Sequence, residues 1–202
     1  MDEFLKLRIE LDDAITYGST KLAKSLAKLG LQRAEEKKLL GEIEYFKGQL
    51  EIIDENFHAA IAHFDKVIEY NSNDGAAFND RALCMVELGI IDEAFYYFDK
   101  GIEVEPDYAA IYHNKGWLLN KIGRHTEAIE YFKKALELQP RRAVTYENLA
   151  DVYLNLSRYS DALEAYKNAL DNLKPYCDNI RQQILSRIQL LEKKIKVKKL
   201  KS

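Results

Sequence analysis

The side chains able to do catalysis or hold a metal are few in this chain, and their spacing suits neither task. Four histidines are present. His58 and His63 stand five residues apart in a helical pattern, which splits them between two faces instead of aligning them on one ion. His113 and His125 fall in different parts of one hairpin, so all four read as surface or rim histidines. The run Tyr70 to Gly75, YNSNDG, has the composition of a calcium loop. It fails as one, because Tyr70 occupies the place of the first carboxylate and Arg81 that of the closing glutamate. No glycine-rich phosphate loop and no nucleophile elbow is present. Cys84 and Cys177 lack metal-ligand spacing and read as free thiols of a reducing compartment. Asn155-Leu-Ser157 is a glycosylation sequon by pattern only, inside a helical segment. Neither an enzyme nor a cofactor nor a metal site is expected.

What remains is the chemistry of recognition. Asn114 and Asn148 stand 34 residues apart, and a side-chain amide that donates and accepts can hold a peptide backbone of any sequence. Trp117 is the single tryptophan, a residue type that anchors protein interfaces. The elements that must position them are helices. From Ala109 to Pro140 an apolar face recurs in Ile111, Tyr112, Leu118 and Leu119, stops at Gly123, and restarts as Ala128, Ile129, Phe132, Ala135 and Leu136. Two helices joined by so short a turn lie antiparallel. Gly116 and Ala128 let their axes approach, Gly123 ends the first at φ > 0, and Pro140 stops the second.

The same residue types return every 34 positions. Phe78, Ala82, Met85, Ala94, Phe98, Gly101 and Pro106 precede the central hairpin by one step; Tyr146, Ala150, Tyr153, Ala162, Tyr166 and Ala169 follow it, with Pro175 one residue late. A step further upstream, Gly48, Ala60, Phe64 and Val67 keep the pattern, while Glu44 and Glu51 replace large apolar residues. This pattern resembles the tetratricopeptide repeat family over residues 41 to about 175. The resemblance implies an all-α, right-handed superhelical solenoid of helix-turn-helix hairpins, whose first helices line a concave groove for segments of partner proteins. A lone hairpin cannot bury its apolar face, so neighbours stack and both ends need caps. The expected units are a degenerate N-terminal hairpin at 1–40, repeats at 41–74, 75–108, 109–142 and 143–176, a C-terminal capping helix at 177–192, and a basic tail at 193–202. Leu5, Ile9 and Ile15 suggest the first helix. Ile180, Ile184, Ile188 and Leu191 mark the capping helix, and the lysine tail beyond it reads as frayed.

Apolar content of 47% with three prolines fits one folded unit. No window reaches the roughly 18 apolar residues of a membrane span, and the acidic MDEFLKLRIE start is no secretory signal, which places the protein in the cytoplasm. The net charge of -3 is unevenly spread. Residues 41–108 carry 16 carboxylates against 4 cations, and residues 193–202 carry six lysines and no acid. Such a tail suits nucleic acid or anionic lipid, but reads first as a solubilising end, and nucleic acid is not an expected partner.

The groove-facing candidates are Tyr45, Phe46 and Gln49 in the first clear repeat and Asn79, Asp80 and Leu83 in the second. His113, Asn114, Trp117, Asn120 and Lys121 follow in the third, and Glu147, Asn148 and Asp151 in the fourth. The Lys, Arg and Asn clamp by which some members of the family hold acidic chaperone tails lacks its cations here, since its places carry Asn79, Leu83, Asn114, Val144 and Asn148, or one repeat earlier Tyr45, Gln49, Asp80, Ala110 and Asn114. A scaffold or adaptor holding a basic or amphipathic peptide or helix is therefore the expected function. The alternative is a self-assembling protein, in which basic tail meets acidic repeats head to tail.

Overall fold

The computed structural model describes residues 2–200, and every regular element among them is an α-helix. In chain order these are α1 (Glu3–Thr16), α2 (Thr20–Glu36), α3 (Leu40–Ile53), α4 (Phe57–Tyr70), α5 (Gly75–Glu87) and α6 (Ile91–Val104). They continue as α7 (Ala109–Lys121), α8 (His125–Leu138), α9 (Ala143–Asn155), α10 (Tyr159–Asn172) and α11 (Asp178–Leu200). Lys201 and Ser202, the end of the expected basic tail, lie outside the described residues.

Each hairpin turn has the same build, three residues long with a left-handed residue in the middle. Gly18, Glu55, Gly89, Gly123 and Ser157 hold φ between 56° and 84°. Beyond each, a backbone amide closes back five residues, as in Ile90 N to Met85 O (2.8 Å) and Arg158 N to Tyr153 O (2.8 Å). This bond satisfies a carbonyl left over at the helix end. Lys37 to Leu39 forms an identical turn between α2 and α3, with Lys38 at φ 57° and Leu39 N bonded to Ala34 O (3.0 Å). Between the later hairpins, Pro106, Pro140 and Pro175 interrupt the helical run.

The chain divides into two compact units between Ile111 and Tyr112. In the first, the small-large pair of each second helix is wholly buried: Ala60 with Phe64 in α4, Ala94 with Phe98 in α6. Each ring contributes about 2–3 kcal/mol by leaving water. The degenerate hairpin has no such ring. There Phe46 of α3 reaches back over Gly30 of α2, where a Cβ would lie 2.3 Å from the Phe46 ring. The face that α1 turns inward is Phe4, Leu7, Leu11 and Ala14. Leu5, Ile9 and Ile15, whose pattern suggests this helix, are 43–49% exposed. For Leu5 and Ile9 the reason is angular: residues 4, 7, 11 and 14 fall on one stripe of a 3.6-residue helix and 5 and 9 lie on the far side, whereas Ile15 borders that stripe in the last turn of α1.

The second unit repeats the scheme with Ala128 and Phe132 in α8 and Ala162 and Tyr166 in α10. Gly116 of α7 lies against Phe132, with a Cβ placed there 3.2 Å from the ring. α11 packs on α10 through buried Ile184, Ile188 and Leu191. The expected fraying after residue 192 is not seen, since α11 runs unbroken to Leu200.

Candidate partner-binding site

In the first unit, α3 and α5 bring Tyr45, Gln49, Asn79 and Asp80 together, all buried. Gln49 Nε2 donates to Asp80 Oδ2 (2.5 Å) and Asn79 Nδ2 donates to Asp80 Oδ1 (2.8 Å). Burial pushes the Asp80 carboxyl up to about 7 with Asp12 adding to it, while Asn79, Tyr45 and Arg8 pull the other way. Arg8 of α1 lies over the Tyr45 ring, its Cζ 3.6 Å from the centroid. It donates to both oxygens of Glu42 (3.2 and 2.9 Å) and both of Asp74 (3.1 and 2.9 Å). Burial disfavours the Arg8 charge, but Tyr45, Asp74 and Glu42 outweigh it and hold the guanidinium firmly protonated. These polar groups are therefore satisfied by one another and by α1.

Phe46, expected to face a partner, is a core residue. It is fully buried, with its ring centroid 6.2 Å from Phe4 and 5.4 Å from Tyr45. The missing aromatic of α2 draws it inward. Glu44, which breaks the apolar pattern, is buried and accepts from His63 Nδ1 (2.7 Å), Lys47 (3.2 Å) and Lys66 (3.3 Å). Burial raises its pKa, but those three bonds prevail and hold it at about 2. Leu83 is half-buried on α5.

In the second unit, α7, α9 and α11 lie side by side, tied by side-chain bonds. His113 Nδ1 pairs with Thr145 Oγ1 (2.9 Å), and Asn148 Nδ2 lies 3.3 Å from His113 Nε2. His113 is thus no rim histidine; burial, helped by the positive Arg142, lowers its pKa to about 3 and keeps the ring neutral. With Nε2 accepting from Asn148, Nδ1–H donates to Thr145. Asn120 Oδ1 accepts from His125 Nδ1 (2.7 Å) and from Asn155 Nδ2 (3.0 Å).

On the α11 side, Arg187 Nη1 donates to Glu147 Oε1 (3.3 Å), Asp151 Oδ1 (3.0 Å) and the Tyr166 hydroxyl (3.2 Å), and Tyr166 also bonds Asp151. The expected partner contacts Glu147 and Asp151 are thereby engaged by the capping helix. Trp117 is half-buried and Lys121 exposed, one turn apart on α7, with the ammonium 4.8 Å from the Trp117 ring. Asn114 is half-buried on the same helix. The residues missed by sequence reasoning are Arg8 and Arg187. Both lie outside the four clear repeats and act across 21 to 66 residues of chain.

Among the described residues, no group of three or more His, Cys, Asp or Glu side chains is placed to hold a metal ion, and no helix is long and apolar enough to cross a membrane. Cys84 and Cys177 are buried and not joined in a disulfide, and burial pushes the Cys84 thiol up to about 12.

Three family models, each described as tetratricopeptide repeat, match residues 47–103, 109–142 and 131–164. No match is found among curated protein sequences. Among solved structures, TTC0263, a thermophilic TPR protein of Thermus thermophilus, is similar with a TM-score of 0.72 at 19% identity, covering 89% of this chain and 95% of that one. MamA from Desulfovibrio magneticus RS-1 is similar with a TM-score of 0.57 at 19% identity, covering 85% and 96%. YrrB, described as a TPR protein with an unusual peptide-binding site, is similar with a TM-score of 0.56 at 18% identity, covering 90% and 98%.

Proposed function

The chain belongs to the tetratricopeptide repeat family, and from that premise we propose that it is a non-catalytic adaptor of the cytoplasm. It holds an amphipathic peptide or helix of a partner protein on the α7 and α9 faces of its second unit. The observation that carries this reading is the contrast between the two units. In the first, Tyr45, Gln49, Asn79 and Asp80 close on one another under Arg8. In the second, Trp117 and Lys121 keep exposed surface on α7 beside half-buried Asn114 and Asn148. An apolar side chain of the partner covers Trp117, a carboxylate meets Lys121, and its backbone lies along the asparagines. The peptide-binding site described for YrrB supports a peptide as the occupant.

Trp117 is the only tryptophan, so its fluorescence reports on this face alone. Partners recovered with the intact chain and absent with Trp117→Ala, at equal helicity by circular dichroism, are mapped to a peptide and titrated. The expected result is a saturable shift in Trp117 emission. A peptide that binds both forms equally, with no change in emission, contradicts the proposal.

A further inference from the structure

The first and last helices each expose an apolar stripe, and the charges around the two stripes are opposite. On α1, Leu5 and Ile9 are 49% and 47% exposed, one turn apart, on the side away from Phe4, Leu7, Leu11 and Ala14. With its cap, α1 carries Asp2, Glu3, Glu10, Asp12 and Asp13 against Lys6 and Arg8. Arg8 is turned inward onto Glu42 and Asp74, Glu3 pairs with Arg33 and Lys37 and Glu10 with Lys6, and the helix with its cap keeps a net negative charge. On α11, Leu190 and Val197 are 58% and 51% exposed, two turns apart, on the side away from Ile184, Ile188 and Leu191. Exposed Lys193, Lys194 and Lys196 lie on the same stretch, with Glu192 the one acid beyond Asp178.

We propose that α11 of one molecule docks on α1 of a second copy of this chain, Leu190 and Val197 covering Leu5 and Ile9 and the lysines facing the α1 carboxylates. Several carboxylates of the acidic section 41–108 are paired within the chain, as Glu3 and Glu10 of α1 are. Glu42 and Asp74 share Arg8, Glu44 pairs with His63, Lys47 and Lys66, and Asp65 pairs with Arg81. α1 offers uncovered carbon and negative charge together. The contact is heterologous: each copy has one donor and one acceptor, and association is open to further copies unless it closes into a ring. Four exposed apolar side chains make a small interface, so the association is weak and salt-sensitive.

Sedimentation of the full chain over a range of concentrations tests this with two variants, Leu5→Glu/Ile9→Glu and Leu190→Glu/Val197→Glu. All four positions are exposed, so both variants retain wild-type helicity by circular dichroism. The wild type is expected to gain mass with concentration beyond a dimer, and to lose that gain as salt is raised from about 50 to about 500 mM. Each variant alone stays monomeric, while their equimolar mixture forms a dimer and nothing larger, because one intact acceptor meets one intact donor. A monomeric wild type at every concentration overturns the proposal, and leaves the stripes to a different partner. Association by either variant alone points to a two-fold contact and overturns it equally, as does a mixture that stays monomeric.

Discussion

His113 shows how a polar residue of the repeat face is held and what acid does to it. Its ring is buried between Thr145 and Asn148, and its pKa is lowered from an ordinary 6.5 to about 3. A base whose folded pKa lies below its unfolded one favours the fold above the unfolded value, here 6.5. That contribution is lost as pH falls from 6.5 toward 3, because the unfolded chain takes up the proton first. Over the interval from about pH 7 to about pH 4 the loss is roughly 3 kcal/mol. Denaturant unfolding followed by Trp117 emission is expected to show that drop in the wild type and a much flatter pH dependence in His113→Asn. Asp80 has the opposite sign. Its carboxyl is raised to about 7, so its contribution is greatest below pH 3.8 and declines as pH rises toward 7. Carbon-13 NMR of Asp80 is expected to titrate near neutrality, and a midpoint at the ordinary aspartate value of about 4 contradicts the buried placement.

At the scale of elements, the turns set the cost of each hairpin. Glu55, Ser157 and Lys38 hold φ of 56° to 61°, a region that strains a side chain by about 1–2 kcal/mol, where the related turns use glycine. Glu55→Gly and Ser157→Gly are each expected to stabilise the chain by up to about 1 kcal/mol in thermal or urea unfolding. Gly89→Ala, whose Cβ meets nothing within 4 Å, is expected to lose a similar amount from strain alone. Gly30→Ala differs in kind, because its Cβ collides with the Phe46 ring. A loss of about 1–3 kcal/mol is expected, partly recovered by Phe46→Leu. These elements also show what the sequence made legible. Gly18, Gly89 and Gly123 announce their turns, and the period of 34 places Ala60, Ala94, Ala128 and Ala162 beside their rings. The turn at Lys38 has no glycine, asparagine or proline to mark it. The inward swing of Phe46 follows from a gap in another helix, which no local pattern records.

On the scale of the whole molecule, the limits of sequence reading fall on contacts that leave the repeat frame. Period and residue type select candidate residues on each first helix, while Arg8 and Arg187 engage several of them from outside the clear repeats. Arg8 comes from the degenerate N-terminal hairpin and Arg187 from the helix after the last repeat. Arg187 also makes α11 more than a lid of apolar side chains, since it engages Glu147 and Asp151 while Ile184, Ile188 and Leu191 cover α10. In the second unit, helices pack on sequential neighbours, α8 to α9, α9 to α10 and α10 to α11, and side-chain bonds join α7 to α9 and α9 to α11, so stability passes from one hairpin to the next. Ile184→Asp places a charge in the buried α10–α11 seam and is expected to detach α11 in the full-length chain. Hydrogen exchange should then rise most in α10 and α9, less in α8, and least in α1 to α6, which lie in the other unit. Glu147 and Asp151 lose their cation at the same step, which turns the α9 face more acidic. An equal rise in exchange across every helix from α1 to α11 would show that the chain unfolds as one cooperative block, and that α11 stabilises more than its neighbours.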